Sequence, residues 1–299
     1  MKNAICPLCY SENTSFYLST NDYSLTQQSF SLLKCNNCSG VFTQDAPSKE
    51  NIGPYYDFKE YISHTNDNEG FINKLYQTVR KITLSQKSKW IQSLMPGQKG
   101  SLLDIGAGVG AFANAMKIQG WNVVGIEPDV TTRQRASDTF QINLQSTDAL
   151  FECQEKSFDI ITMWHVLEHV HDLDAYLAVI EKILKDNGKL IIAVPNYTSW
   201  DAQYYKPFWA AYDVPRHLYH FSPKSLEILV SKYQFDIIEH KPMWFDSFYV
   251  SLLSEKYNKT GVLGYCTAFL VGCISNIKAL MNASKASSVI YQMKKKEQK

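Results

Sequence analysis

The 299-residue sequence lacks a charge excess of either sign: 30 Lys and Arg stand against 29 Asp and Glu, a net charge of +1. A strongly basic nucleic-acid-binding chain is not what that average describes. The first ten residues lack the apolar core of an export leader, and Cys6 and Cys9 stand where that core would be. No internal repeat is visible. The uncharged stretch 261–277 would reach about 25 Å as a helix, short for a bilayer crossing. What is present is ordinary for a folded chain. Apolar residues make up 45% and charged residues 20%, which excludes wholesale disorder. The length allows one large domain with an appendage, or two domains. Seven Cys without a leader point to a reducing cytoplasm, where paired Cys read as metal ligands before disulfides.

Two knuckles, Cys6-Pro-Leu-Cys9 and Cys35-Asn-Asn-Cys38, fit that reading. Four thiolates at C-x2-C…C-x2-C spacing close a tetrahedral site with no open position, so the expected ion is a structural Zn2+. A segment of residues 1–45 has little core of its own, and the metal would supply its folding energy. Few basic residues lie nearby (Lys2, Lys34, Lys49), so it lacks a nucleic-acid footprint and is expected to pack on the main domain or wall its site.

From residue 101 to about 240 the pattern changes. Short apolar runs at 102–105, 123–126, 160–163 and 190–194 alternate with helical periodicities, the signature of a parallel β/α fold. The clearest helix is 173–186, with Leu173, Leu177, Ile180 and Leu184 on one face and Asn187-Gly188 as its stop. An earlier helix is expected over 71–95, through Ile72, Leu75, Tyr76, Val79, Ile82 and Trp90, ended by Pro96-Gly97.

The first β/α turn reads Asp104-Ile-Gly106-Ala-Gly108-Val-Gly110. Glycines there let a ligand approach the backbone at a helix N-terminus. The spacing is G-x-G-x-G, not the dinucleotide G-x-G-x-x-G, and the preceding Asp favours a cationic ligand such as a sulfonium nucleoside. Glu127 ends the next strand, placed for two ribose hydroxyls. The stretch 100–235 resembles the class I S-adenosylmethionine-dependent methyltransferases. Three later segments resemble those of its small-molecule branch: Thr162-Met-Trp-His-Val-Leu-Glu-His169, Val194-Pro-Asn196 and Pro215-Arg-His-Leu-Tyr-His-Phe-Ser222. The resemblance implies a doubly wound Rossmann-like sheet binding S-adenosyl-L-methionine. Asp104, Gly106, Gly108 and Gly110 would line the methionine end and Glu127 would hold the ribose. Asp148 would face the adenine, with Met163 and Trp164 beside the cofactor.

His165-Val-Leu-Glu168-His169 also matches the inverted zinc-protease pattern, but it follows a strand of the cofactor-binding pattern and shows no third ligand. His217 is the better base. It lies five residues before Ser222 and so resembles the proposed base of zinc-ribbon sugar C-methyltransferases. His165, near the strand end, and Tyr212 complete the expected catalytic set, against simple capping or packing roles. The rings of Tyr197, Trp200, Tyr204, Tyr205, Phe208, Trp209 and Tyr212 fit either a lid over the acceptor or core. The sequence after the fourth strand is not Asn/Asp-Pro-Pro-Tyr, and there is no Pro-Cys nucleophile, so base methylation is disfavoured. Alternatives are an RNA or protein methyltransferase docking through the ribbon and a non-catalytic cofactor-binding protein.

Residues 256–299 hold eight Lys and one Glu, a balance of +7 that leaves −6 for the rest. The apolar stretch inside this segment fits a homodimer interface, a helix packed on the domain, or a helix lying on an anionic membrane. The expected organisation is a zinc-ribbon module at 1–45, a linker and helix at 46–98, a cofactor-binding domain at 99–245 and an apolar, basic C-terminal extension at 246–299. The expected setting is the cytoplasm, with a peripheral place at the inner face of the membrane as one option. The acceptor is expected to be a small molecule, such as a sugar, a quinone or a lipid-linked precursor.

Overall fold

Apolar alternation in the first 45 residues makes three antiparallel strands, β1 (Thr14–Asn21), β2 (Ser29–Cys35) and β3 (Val41–Thr43), in the computed structural model, which describes residues 4–56 and 71–297. The spacing-predicted helix follows as α1 (Phe71–Ser93); the side chains of its first seven residues, Ile72, Leu75 and Tyr76 among them, lie outside the described set, as does the linker 57–70.

The main sheet then grows by β/α units. In chain order these are β4 (Ser101–Ile105), α2 (Ala111–Ile118), β5 (Asn122–Ile126), α3 (Val130–Phe140), β6 (Phe158–Trp164), α4 (Leu173–Ile183) and β7 (Leu184–Pro195). After these come α5 (Trp200–Tyr205), β8 (Tyr219–His220), α6 (Pro223–Ser231), β9 (Phe235–Pro242), α7 (Asp246–Tyr257), α8 (Leu263–Met281) and β10 (Ser288–Lys295). The six-stranded order is β5-β4-β6-β7-β10-β9. Strands β4 to β7 pair in parallel, and β10 runs antiparallel to both neighbours. Leu173, Leu177 and Ile180 of α4 and Leu226 and Leu229 of α6 bury one face of the sheet. Ile91 of α1 and Phe112 and Met116 of α2 bury the other. This is the doubly wound α/β sandwich that both-face burial of a parallel sheet requires.

Three expectations need correction. Helix α4 stops at Ile183, and Leu184 already begins the next strand. The C-terminal segment is not an extension after 245: β10 fills the gap between β7 and β9, and its residues Ser288–Met293 are all buried. The basic tail was a misleading signal, because Lys295 docks on Glu181 at 3.3 Å and Lys296 on Ser231 Oγ at 2.7 Å. The ribbon, as expected, packs on the main domain. Its sheet takes β8 as fourth strand, with Val41 opposite His220 and Phe42 opposite Tyr219.

Candidate active site

The carboxyl ends of β4, β5 and β6 carry the glycine loop and its acidic neighbours. Gly106 has φ +70°, and a Cβ there would meet Val166 Cγ2 at 2.3 Å, so only glycine lets the loop close on the next segment. Gly108 has φ +53° and would point a Cβ into open space, which marks the ligand side of the loop. Gly110, left-handed as well, is the N-cap of α2. Glu127 receives the loop: its carboxylate accepts from Gly108 N at 2.9 Å and Asp129 N at 3.1 Å, while burial raises its pKa. Asp104 is buried at the end of β4, and its Oδ1 accepts from Thr162 Oγ1 at 2.7 Å. Burial lifts its pKa to about 7, against the Thr162 hydrogen bond and the nearby Lys87.

Trp164 ends β6 with its ring edge-on to Phe112, the centroids 5.4 Å apart. Its indole Nε1 is buried with no hydrogen-bond partner among the described residues, a donor that a ligand could satisfy. Lys87 of α1, which sequence reasoning missed, holds its ammonium 4.1 Å from the Trp164 ring centre. Met163 differs from its neighbour. Strand alternation turns its side chain into the opposite, closed core, so only Trp164 of the pair presents a side chain here. Asp148 is exposed in the turn 147–150 beyond β5.

A second group of side chains stands beside this end. His165 adopts φ +56°, an uncommon conformation for a residue with a Cβ. Its Nε2 lies 3.0 Å from Asp246 Oδ2 and its Nδ1 3.4 Å from Glu168 Oε1. Burial opposes its charge, but the two carboxylates overcome it and push the pKa up to about 9. His165 is therefore an imidazolium at neutral pH, unsuited to take a proton, and the inverted zinc-protease ligand set is not assembled.

Glu168, His169 and His217 converge. One donor atom from each lies within 4.8 Å of the other two, and the two rings meet edge to face at 4.6 Å. His217 Nδ1 sits 2.8 Å from Ala211 O, and His169 Nδ1 sits 3.0 Å from Arg216 O. A carbonyl accepts only from N–H, so both rings carry a proton on Nδ1 and leave Nε2 as the exchangeable nitrogen. Burial, helped by His217, lowers His169 to about 4, so it is neutral. Glu168 is wholly buried, and its one charged contact among the described residues is the long one to His165.

The ribbon holds this second group in place. Thr43 of β3 donates from its hydroxyl to His217 O at 2.8 Å, and Thr43 N donates to Leu218 O at 2.9 Å. Arg216, 1% exposed, bonds Asp22 of the ribbon at 2.9 Å and Asp213 at 2.6 Å. Asp22 and Asp213 carried no motif that sequence reading could have found. In the ribbon itself, Cys6 and Cys38 sulfurs are 3.7 Å apart and Cys9 and Cys35 sulfurs 3.5 Å. A tetrahedral Zn–thiolate site has edges of about 3.8 Å, and Gly40 N–H points at Cys38 Sγ at 3.4 Å as thiolates require. The donor set and its spacing fit zinc.

The aromatics between 197 and 212 divide. Tyr197, Tyr205, Trp209 and Tyr212 are buried in a core shared with Leu32, Val41, Val250 and Val271, while Tyr204 is exposed. Tyr212 therefore does not join the histidines as a reacting group: its hydroxyl approaches Tyr17 of the ribbon at 3.5 Å, and burial drives its pKa far above 10.

A six-stranded sheet of this order, with a glycine loop and ribose-type carboxylate at its carboxyl edge, defines a class I methyltransferase fold. A family model described as a methyltransferase domain matches residues 79–240, more than half of the chain, and the chain belongs to that family. A ubiquinone biosynthesis O-methyltransferase of Bartonella tribocorum is 34% identical over 116 residues, covering 37% of this chain and 47% of that protein. The chain thus spans about half the length of the curated relatives it matches. The magnesium protoporphyrin IX methyltransferase of Synechocystis PCC 6803, solved with SAH, superposes with TM-score 0.54 at 13% identity over 82% of this chain and 98% of that one. The [4+2]-cyclase SpnF superposes with TM-score 0.52 at 15% identity over 85% and 98%. One fold thus carries different reactions, and the reaction must be argued from the site.

Proposed function

We propose that the protein transfers a methyl group from S-adenosyl-L-methionine to a small-molecule acceptor, a sugar, a quinone or a lipid-linked precursor. The observation that carries this is the adjacency of two groups. A Gly108–Glu127 cradle with Asp104 and the unsatisfied Trp164 Nε1 stands next to two histidines whose Nδ1 atoms are held by backbone carbonyls, which leaves Nε2 for exchange. S-adenosylmethionine supplies an electrophilic methyl, displaced in line, and its thioether leaves without needing a proton. Asp104, Gly106, Gly108 and Gly110 hold the methionine end, Glu127 the ribose and Asp148 the adenine edge, and Trp164 donates from Nε1. His217 Nε2 removes the acceptor's proton, and His169 and Glu168 stabilise the imidazolium that results. His165 positions the segment as a fixed cation. A structural Zn2+ on Cys6, Cys9, Cys35 and Cys38 holds the ribbon.

The name of the O-methyltransferase relatives supports a small acceptor such as a quinone. The proposed setting is the cytoplasm, with the exposed part of residues 256–299, the helix Leu263–Met281 and its flanking lysines, meeting the inner face of the membrane; a homodimer through the same face is the competing arrangement. Calorimetry with S-adenosylmethionine should show one site, and Gly108→Arg, which fills the open side of the cradle, should abolish it. Absence of binding to the wild type removes the cofactor. Binding without transfer of a labelled methyl into the small-molecule fraction of a cell extract would leave a cofactor-binding protein only.

A further inference from the structure

Helix α8 is packed inside out. Its inner face, against α5 and α7, is made mostly of small residues: Gly264, Ala268, Gly272, Ser275 and Ala279 are buried, with Val271 the one larger side chain among them. The contact is close, since a Cβ on Gly272 would meet Phe248 of α7 at 2.4 Å. The outer face carries the large side chains: Leu263, Phe269, Leu270, Ile277, Leu280 and Met281 are 57–84% exposed. Only a third of its most apolar window is buried. A helix that buries glycine, alanine and serine and exposes leucine and phenylalanine is built for an apolar surrounding, where small residues make the helix contact.

Two further features say what that surrounding is. First, the chain enters this hairpin from β9 and leaves it into β10, which are adjacent antiparallel strands. Both ends of the α7–α8 hairpin therefore lie on the same side, and α7 has 12 residues, about 18 Å. One long helix tied back to the sheet in this way lies along a surface and does not cross a bilayer. Second, the face is bordered by Lys256 and Lys259 at one end and Lys278 and Lys285 at the other, with no acidic residue between Lys256 and Lys296. Two copies meeting through this face would bring like charges together, whereas an anionic lipid surface complements them.

We infer that the α7–α8 hairpin docks in the plane of an anionic membrane, with the exposed face of α8 seated among the acyl chains and the four lysines among the headgroups. This deepens the reading of residues 256–299 as a membrane contact and does not rest on methyl transfer.

Flotation with vesicles of phosphatidylcholine alone and of phosphatidylcholine with phosphatidylglycerol, without cofactor or acceptor, tests this directly. The full chain should float with the anionic vesicles, and raising salt should weaken the binding. Phe269→Asp with Leu270→Asp should lower partitioning at least about tenfold. Lys256→Glu with Lys259→Glu should do so about as strongly. Both variants should keep the thermal transition and S-adenosylmethionine affinity of the parent, since these side chains are exposed. Equal partitioning of parent and variants overturns the proposal. So does a parent that ignores anionic vesicles and sediments as a dimer that Phe269→Asp splits; the face would then join two copies. Loss of vesicle binding with methyl transfer intact would leave the enzyme reading standing.

Discussion

The two ends of the candidate site are built in opposite ways. The cofactor end uses one run of chain, from Asp104 to Trp164, and most of its contacts are backbone or near neighbours: Gly108 N to Glu127, Asp129 N to Glu127, Thr162 to Asp104. The histidine end gathers Asp22 and Thr43 from the ribbon, Tyr56, the segment 165–169, the segment 213–220 and Asp246. The first end is set by strand-and-turn geometry that any β/α unit supplies. The second exists only when distant pieces meet, and the N-terminal sheet, with β8 as its fourth strand, brings them together. Each end should therefore fail independently of the other.

The largest separation is expected from His217→Ala. Removing the base should lower methyl transfer by about 10²–10⁴ while S-adenosylmethionine affinity, read by calorimetry, stays within a few-fold. A variant with full transfer would return His217 to a packing role. Arg216→Met should come next. It leaves Asp22 and Asp213 unpaired, with Asp22 fully buried, and should cost about 3–5 kcal/mol. Urea unfolding measures that cost, and a change below about 1 kcal/mol would mean that the ribbon is held by its strands alone.

The smallest effect is on pH dependence, where the two ends meet at His165. Its folded pKa, about 9, lies above the ordinary value of 6.5. The stability it contributes is therefore complete below pH 6.5 and is lost as pH rises through 9. The fall in Tm between those values should shrink in Asp246→Asn. Asp104 gives a second signature at the other end. It is raised to about 7, so its burial cost appears as pH rises from about 4 towards 7, when the carboxylate forms. A sulfonium favours that carboxylate, so cofactor affinity should weaken from pH 8 to pH 6, and Asp104→Asn should flatten the trend.

The same asymmetry explains how much of the molecule was legible beforehand. The glycine loop, Glu127 and the four cysteines are short-range patterns whose spacing carries their geometry. Alternating runs disclosed the parallel strands for the same reason. The antiparallel β10 was hidden because Lys294, Lys295 and Lys296 made its end look like a solvated tail, although Val289–Met293, apolar but for Gln292, is buried on both faces. Tyr212 was misplaced because an aromatic cluster has no period that separates lid from core. Asp22 and Asp246 were invisible because nothing local marks a carboxylate that will meet Arg216 or His165 far along the chain. His217 was singled out by resemblance, but the carbonyl of Ala211 that fixes its tautomer comes from the folded loop.

The central claim is that the ribbon positions the histidine end and leaves the cofactor end alone. The direct measurement compares zinc-loaded protein with protein stripped by a chelator, each titrated with S-adenosylmethionine and assayed for transfer of its labelled methyl. Metal analysis should find one zinc per chain before stripping; a second equivalent lost in Glu168→Gln would assign the Glu168, His169 and His217 donors to a metal instead. Displacing His217 by an ångström should lower transfer by about 100-fold, with cofactor affinity changed less than threefold or so. Cofactor affinity that falls in step with zinc would contradict the account, and so would transfer that survives its removal.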